Sequence, residues 1–316
     1  AGEEGVVRLK ARIAAPAQIQ VSADRLQAVR GGASEVQSVP VARSLRAAER
    51  DPSLKVALMY ASVALYNQNQ EAKAEELILE VAKFREDLSA GERLMLDWLQ
   101  TGADNEASLR ICRQIAAKYK TWDWTYENAH EAINCNYPQE AVDLLNRLDP
   151  FAEVYKNRPG GYWGRLTCAY HMVGNHKREL KEARRGRKQF PENLLRLRYE
   201  VDALAALGRI KDLQNRFEES KTLPPRTGYS PGHIMLRAGR ELRAHGFKED
   251  SVQVLNLAFR WFESRPAEEK TSMENRYAQA ETHYVLGKWA EAKALFEGIH
   301  REIQDNTDYL GYLGVV

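Results

Sequence analysis

His130 and Glu131 stand side by side, which is how the HExxH arrangement begins, with two histidines a helical turn apart on zinc and a glutamate as base. The second histidine would have to fall at position 134, which is Asn134, so that chemistry is excluded. Stacked helix pairs could bring His130, His171, Cys135 and Cys168 together. They lack metal-type local spacing, and no metal ligand set is assigned. From His176 to Arg198 nine Lys/Arg stand against three Glu. Basic helices can hold phosphate backbones, yet Phe190 and Tyr199 are the only interleaved aromatics of the kind single strands stack on. The run therefore reads as the solvated outer face of a second helix, and nucleic acid is not an expected partner. Trp122, Trp124 and Tyr126 are spaced more tightly than a helical stripe requires. They line a ligand groove or pack where a helix begins, and packing is the preferred reading. Arg158-Pro159-Gly160-Gly161 has too little glycine pattern to cradle a phosphate. No cofactor is implied.

The elements that must position these residues repeat along the chain. Short polar or glycine-containing breaks recur at Asn69, Ala103, Asn136, Gly174, Gly208, Gly246 and Gly287, with gaps of 34, 33, 38, 34, 38 and 41 residues. A period near ~34 residues is that of the tetratricopeptide helix-turn-helix unit, whose pair buries its apolar face only by stacking on neighbours. The expected fold is all-α, an α-α superhelix forming a tetratricopeptide-like solenoid of about seven helix pairs. Seven residues before each break stand Ser62, Leu96, Ala129, Thr167, Val201, Gly239 and Ala280, mostly small, as a close helix crossing needs. Five after it stand Ala74, Ser108, Ala141, Glu179, Leu213, Ser251 and Ala292. Nine after it comes an apolar wedge each time: Ile78, Cys112, Leu145, Ala183, Phe217, Leu255 and Phe296. Two units reproduce the motif best, Trp163, Leu166, Tyr170, Gly174, Ala183 and Pro191 in one, and Tyr284, Leu286, Gly287, Trp289, Ala290, Glu291, Ala292 and Phe296 in the other. Their role is core packing.

Composition narrows the partners. Lys+Arg 46 against Asp+Glu 44 leaves +2, so no global charge argues for nucleic acid or an anionic membrane. Cys112, Cys135 and Cys168 are odd in number and lack CxxC spacing, against a disulfide framework, and read as small buried hydrophobes. No apolar run approaches the ~18 residues of a membrane span, and the amino terminus does not read as a signal peptide. The compartment is left open between the cytoplasm and the extracytoplasmic part of an anchored protein.

The array is expected over 34–316, after a distinct segment 1–33. There Val7, Leu9, Ala11 and Ile13 alternate with Arg8, Lys10 and Arg12, which reads either as a β-hairpin or as an irregular remnant. At the other end Tyr309, Leu310, Tyr312, Leu313, Val315 and Val316 begin an apolar helix without a following partner. The array is expected to be cut within its last repeat, and self-association through that helix stays open.

Over roughly residues 54 to 316 the chain resembles the carboxy-terminal tetratricopeptide region of large bacterial signalling proteins. The phrases that carry the likeness are DLSAGERLMLDWLQ (87–100), TYENAHEAI (125–133), YPQEAVDLLNRLDP (137–150), YWGRLTCAYHMVGNHKRELKEARRGRKQFP (162–191), YEVDALAALGRI (199–210), MLRAGRELRAHG (235–246) and DYLGYLGVV (308–316). In that family a winged-helix regulator domain or a Ser/Thr kinase domain precedes the array. The resemblance implies a sensor or docking array, with no fixed catalytic residue to carry over. Neither HRD nor DFG nor a helix-turn-helix pattern is found, so phosphotransfer and DNA reading are not assigned.

In such arrays the first helix of each pair lines the concave face. Its ligand-facing positions are Arg93, Asp97, Tyr126, His130, Arg198, Asp202, Arg240, Arg243, Tyr277, Glu281 and Tyr284. Arg240 and Arg243 share a helix face and can fork onto one carboxylate. The alternative for them is internal pairing with Glu241 or Glu281. The leading reading is a non-enzymatic protein- or peptide-binding array. Its rivals are an all-helical enzyme such as a toroidal glycosidase, which needs paired carboxylates across a central pocket, and a self-associating structural subunit.

Overall fold

The structure, a computed structural model, describes residues 38–51, 54–66, 68–151, 161–224 and 229–302. The expected β-hairpin in 1–33, the loop residues Arg158 to Gly160 and the apolar stretch from Tyr309 lie outside the described residues.

Among these residues α1 (Ser38–Arg50) precedes seven helix pairs, each joined by a short turn. They are α2 (Lys55–Tyr66) with α3 (Glu71–Ala82), α4 (Ala90–Leu99) with α5 (Asn105–Tyr119), α6 (Trp122–Asn134) with α7 (Pro138–Leu145), and α8 (Gly161–Met172) with α9 (His176–Gln189). Then come α10 (Leu194–Ala206) with α11 (Ile210–Ser220), and α12 (Pro231–Ala244) with α13 (Lys248–Glu263). A single turn of helix, α14 (Ala267–Lys270), leads into α15 (Met273–Val285) with α16 (Trp289–Glu302). The described residues thus form an all-α array built from tetratricopeptide-like helix pairs.

The turns explain why the breaks are legible. Each holds one residue with positive φ: Asn69, Gly102, Asn136, Gly174, Gly208, Gly246 and Gly287. Six coincide with the expected breaks. In those six the next residue donates its N–H five positions back, as Asn175 does to the Tyr170 carbonyl and Phe247 to that of Leu242, both at 2.9 Å. That is a Schellman closure, which needs a left-handed residue and selects Gly or Asn. The second turn differs: its left-handed residue is Gly102, not Ala103, and Asp104 caps α5 by accepting the Ala107 N–H at 2.9 Å. Starts are set by similar polar caps. Ser89 and Glu92 form a reciprocal capping box on α4, and Ser230 caps α12.

The chain divides into two compact units, residues 1–169 and 170–316. The first centres on Met59, Ile78, Leu96, Trp98, Cys112 and Trp124. The second centres on Leu197, Val201, Leu213, Phe217, Leu255 and Phe262, with Ala280, Ala292 and Phe296 at its last pair. All twenty-one positions chosen by offset from the breaks are buried. The seven wedges are each worth about 1.5–3 kcal/mol where the side chain is large and fully covered, and the small partners let the paired backbones approach. Ser251 Oγ reaches the Gly239 carbonyl at 2.7 Å across one such crossing. Pro191, Trp289, Ala290 and Glu291 depart from the core reading and are exposed; Trp289 stands edge-on to Tyr284, ring centroids 5.3 Å apart.

Candidate functional site

In the second unit, first helices α10, α12 and α15 carry seven of the expected residues and link them from repeat to repeat. Arg237 on α12 sets its Nε 2.7 and 2.9 Å from the two carboxylate oxygens of Asp202 on α10. Arg198 lies 3.7 Å from the same carboxylate and donates to the Tyr229 hydroxyl at 3.3 Å. Arg240 pairs with Glu281 on α15, the internal pairing that was the alternative to ligand binding. Arg243 donates to the Val285 carbonyl. Asp202 is buried, and burial pushes its carboxyl up while Arg237 holds it back. Burial likewise works against the Arg237 charge, and Asp202 more than offsets it. Tyr277 and Tyr284 are half-buried and stand edge-on to Phe296 and Trp289.

Beside this ladder lies a cluster of three histidines and two glutamates. His171 is in the last turn of α8, His176 and Glu179 in the first turn of α9, and Glu241 and His245 at the end of α12. Both Glu179 oxygens are 3.1 Å from His171 Nδ1, and Oε2 is 2.9 Å from His176 Nδ1. His171 Nε2 is 3.3 Å from Glu241 Oε2, and His245 Nε2 is 3.8 Å from the same oxygen. The rings of His176 and His245 are 4.6 Å apart. Hydrogen bonds to Glu179 and then Glu241 raise His171 from an ordinary 6.5 to about 10. Burial, then the charges of His176 and His171, push His245 down. Burial pushes Glu241 up, but His171 outweighs it and the net shift is downward. A carboxylate buried at a helix crossing is costly unless paired, and Glu179 is only 2% exposed.

Sequence reasoning placed His171 in a different set, with His130, Cys135 and Cys168, took Glu241 only as an internal partner of Arg240 and Arg243, and gave His176 and His245 no part in a cluster. The available signals were local: His176 and Glu179 at i,i+3 and Glu241 and His245 at i,i+4, spacings that share a helix face.

In the first unit the expected residues serve packing and pairing. Asp97 pairs with Arg85, whose Nη2 lies 3.1 Å from Oδ2, and Arg93 sits 3.6 Å from Glu86. Tyr126 is fully buried under the Arg165 guanidinium, 4.2 Å from its ring centroid. Arg165 Nε also donates to His130 Nδ1 at 2.9 Å. Trp124 is buried edge-on to Trp98. The preferred packing reading therefore holds for Trp124, and the ligand-facing reading for Tyr126 is corrected, since its ring is core.

The basic run is not merely a solvated face. Buried Glu200 gathers Arg184 at 3.0 Å, Arg187 at 2.5 Å and Arg216 at 3.8 Å, and Glu219 takes Arg187 and Arg216 as well. These arginines are occupied within the fold. No disulfide joins the three cysteines; Cys168 is exposed and Cys135 half-buried, so the buried reading holds for Cys112. A cavity of about 890 Å³ bordered by Trp261, Arg265, Glu269, Ser230 and Asn275 contains none of the expected ligand-facing residues. No helix among the described residues is long and apolar enough to cross a membrane.

No protein-family model matches the sequence, and no curated protein matches it. Among solved structures the chain is similar to the TPR domain of P58(IPK), at 13% identity over 89% of this chain and 92% of that one, with a TM-score of 0.31.

Proposed function

We propose that the chain is a non-enzymatic array that binds a protein or peptide through the first helices of its second unit, with an acidic or carboxy-terminal group as the recognised feature. The observation that carries this is the cross-repeat ladder. Arg198, Arg237, Arg240 and Arg243 stand against Asp202, Glu241 and Glu281, four guanidinium groups to three carboxylates. Arg240 and Arg243 are exposed, and each is tied to α15 through one Nη. Tethering lowers the conformational entropy that a long side chain loses on binding, and the remaining guanidinium donors suit a planar carboxylate. The likeness in sequence order to bacterial winged-helix regulators and Ser/Thr kinases supports a sensor or docking role in a signalling protein.

The test is a library of peptides with free or amidated carboxy termini, followed by calorimetry of the best binder at two salt concentrations. Arg240→Ala and Arg243→Ala should each lose about 1.5–3 kcal/mol of binding, as hydrogen bonds to a charged group do. Equal binding of the amidated peptides, or wild-type affinity in both variants, would place recognition elsewhere.

A further inference from the structure

We infer that His171, Glu241 and His245 form a three-ligand site for one divalent transition ion of the zinc type, with Glu179 positioning the His171 ring.

The spacing suits an ion. Ligand atoms around tetrahedral zinc lie ~3.3–3.5 Å apart, given bonds of ~2.0–2.2 Å to nitrogen and oxygen. His171 Nε2 and Glu241 Oε2 are 3.3 Å apart, His245 Nε2 and Glu241 Oε2 3.8 Å, and the three residues each offer a ligand atom within 4.8 Å of the other two. Glu241 divides its oxygens: Oε2 faces the two histidines, while Oε1 lies 3.9 Å from Arg237.

The surroundings are those that metal-binding histidines need. Such a ring donates its second N–H to a carboxylate, which fixes the tautomer and directs the other nitrogen at the ion. Glu179 stands at His171 Nδ1 in that role, and it also engages His176 Nδ1. Glu179 occupies a crossing position that the other six repeats fill with Ala, Ser or Leu, so packing does not account for a carboxylate there. A second observation is independent of the side-chain distances. His171 and His245 stand at the carboxy-terminal ends of α8 and α12, where the unpaired carbonyls favour a cation.

Two imidazoles and one carboxylate select zinc and its neighbours over magnesium or calcium, which prefer all-oxygen shells. Three protein ligands leave a fourth position, and the His176 ring lies 4.6 Å from that of His245.

The experiment uses the untagged chain, stripped with chelator and titrated with zinc chloride by calorimetry, with cobalt(II) absorption reporting coordination. One ion per chain should bind with micromolar or tighter affinity and give the spectrum of a low-coordinate cobalt site. His245→Ala and Glu241→Gln should each lose that binding, Glu179→Gln should weaken it ~10–100-fold, and His283→Ala, outside the cluster, should match wild type. Far-UV circular dichroism checks that each variant keeps its helices; if one unfolds, the other ligand variant decides. Absence of saturable one-to-one binding in the wild type, or wild-type affinity in the folded ligand variants, overturns the site.

Discussion

Glu179 holds both carboxylate oxygens 3.1 Å from His171 Nδ1, at the crossing position that three other repeats fill with Ala74, Ala141 and Ala292. If Glu179 served packing alone, alanine would fit there. Because the carboxylate also accepts from His176 at 2.9 Å, Glu179→Ala is expected to cost about 1–3 kcal/mol by leaving ring N–H groups without an acceptor. Chemical unfolding measures this, and an unchanged midpoint would return Glu179 to a packing role.

Gly239 stands at a close helix crossing of α12 with α13. A Cβ added there would lie 2.6 Å from Leu255 Cγ and 2.7 Å from Cδ2, and Leu255 is fully buried with no room to retreat. Gly239→Ala should therefore overpack the pair by about 1–3 kcal/mol. Gly246→Ala meets nothing within 4 Å but sits at φ +89°, so it should cost about 1–2 kcal/mol through the backbone alone. A compensating Leu255→Ala change should relieve the first variant and leave the second as it was.

These two glycines also mark what sequence can disclose. Gly246 is legible because a Schellman turn needs a left-handed residue, and Gly239 because a crossing seven residues earlier needs a small one. Such rules are local. The second turn was missed by one residue: Ala103 stands between the left-handed Gly102 and the Asp104 cap, one residue more than in the turn from Gly174 to the Asn175 cap. The His171 cluster escaped for a larger reason: its five residues come from three helices, and spacing reveals only which residues share one. On α12 the reading favoured Arg240 and Arg243 for their shared face, while Glu241 and His245 face histidines of α8 and α9, two helix pairs earlier. Tyr126 failed as a groove residue because Arg165, distant in sequence, covers its ring.

Acid should destabilise the second unit through its buried histidines. Burial pushes His233 below its ordinary 6.5, opposed by Glu274 at 3.7 Å. Ser230 Oγ and the edge of Phe262 complete its surroundings. A depressed folded value means that the unfolded chain binds more protons, so this contribution is fully present above about pH 6.5 and is lost as pH falls through the folded value. Between about pH 7 and about pH 5 the thermal midpoint of His233→Gln should fall less than that of the wild type. Equal losses would assign the acid sensitivity to His245 and His283, which burial also depresses.

The Asp202 and Arg237 pair links α10 to α12 and sets the stiffness of the proposed binding face. Asp202 is buried while the Arg237 side chain is 40% exposed, so removing each partner has a different cost. Arg237→Ala strands a buried carboxylate, a class of change worth ~3–5 kcal/mol. Solvent at Arg237 and Arg198 at 3.7 Å, still available to Asp202, place the expected loss near about 3 kcal/mol, at the low end of that range. Asp202→Asn in the Arg237→Ala background removes the stranded charge and should recover part of the loss. The double-mutant cycle reads this as a coupling of about 0.5–3 kcal/mol. Additive effects would mean that Arg198 or water already satisfies Asp202, and that the ladder is held by the Arg240 and Glu281 pair instead.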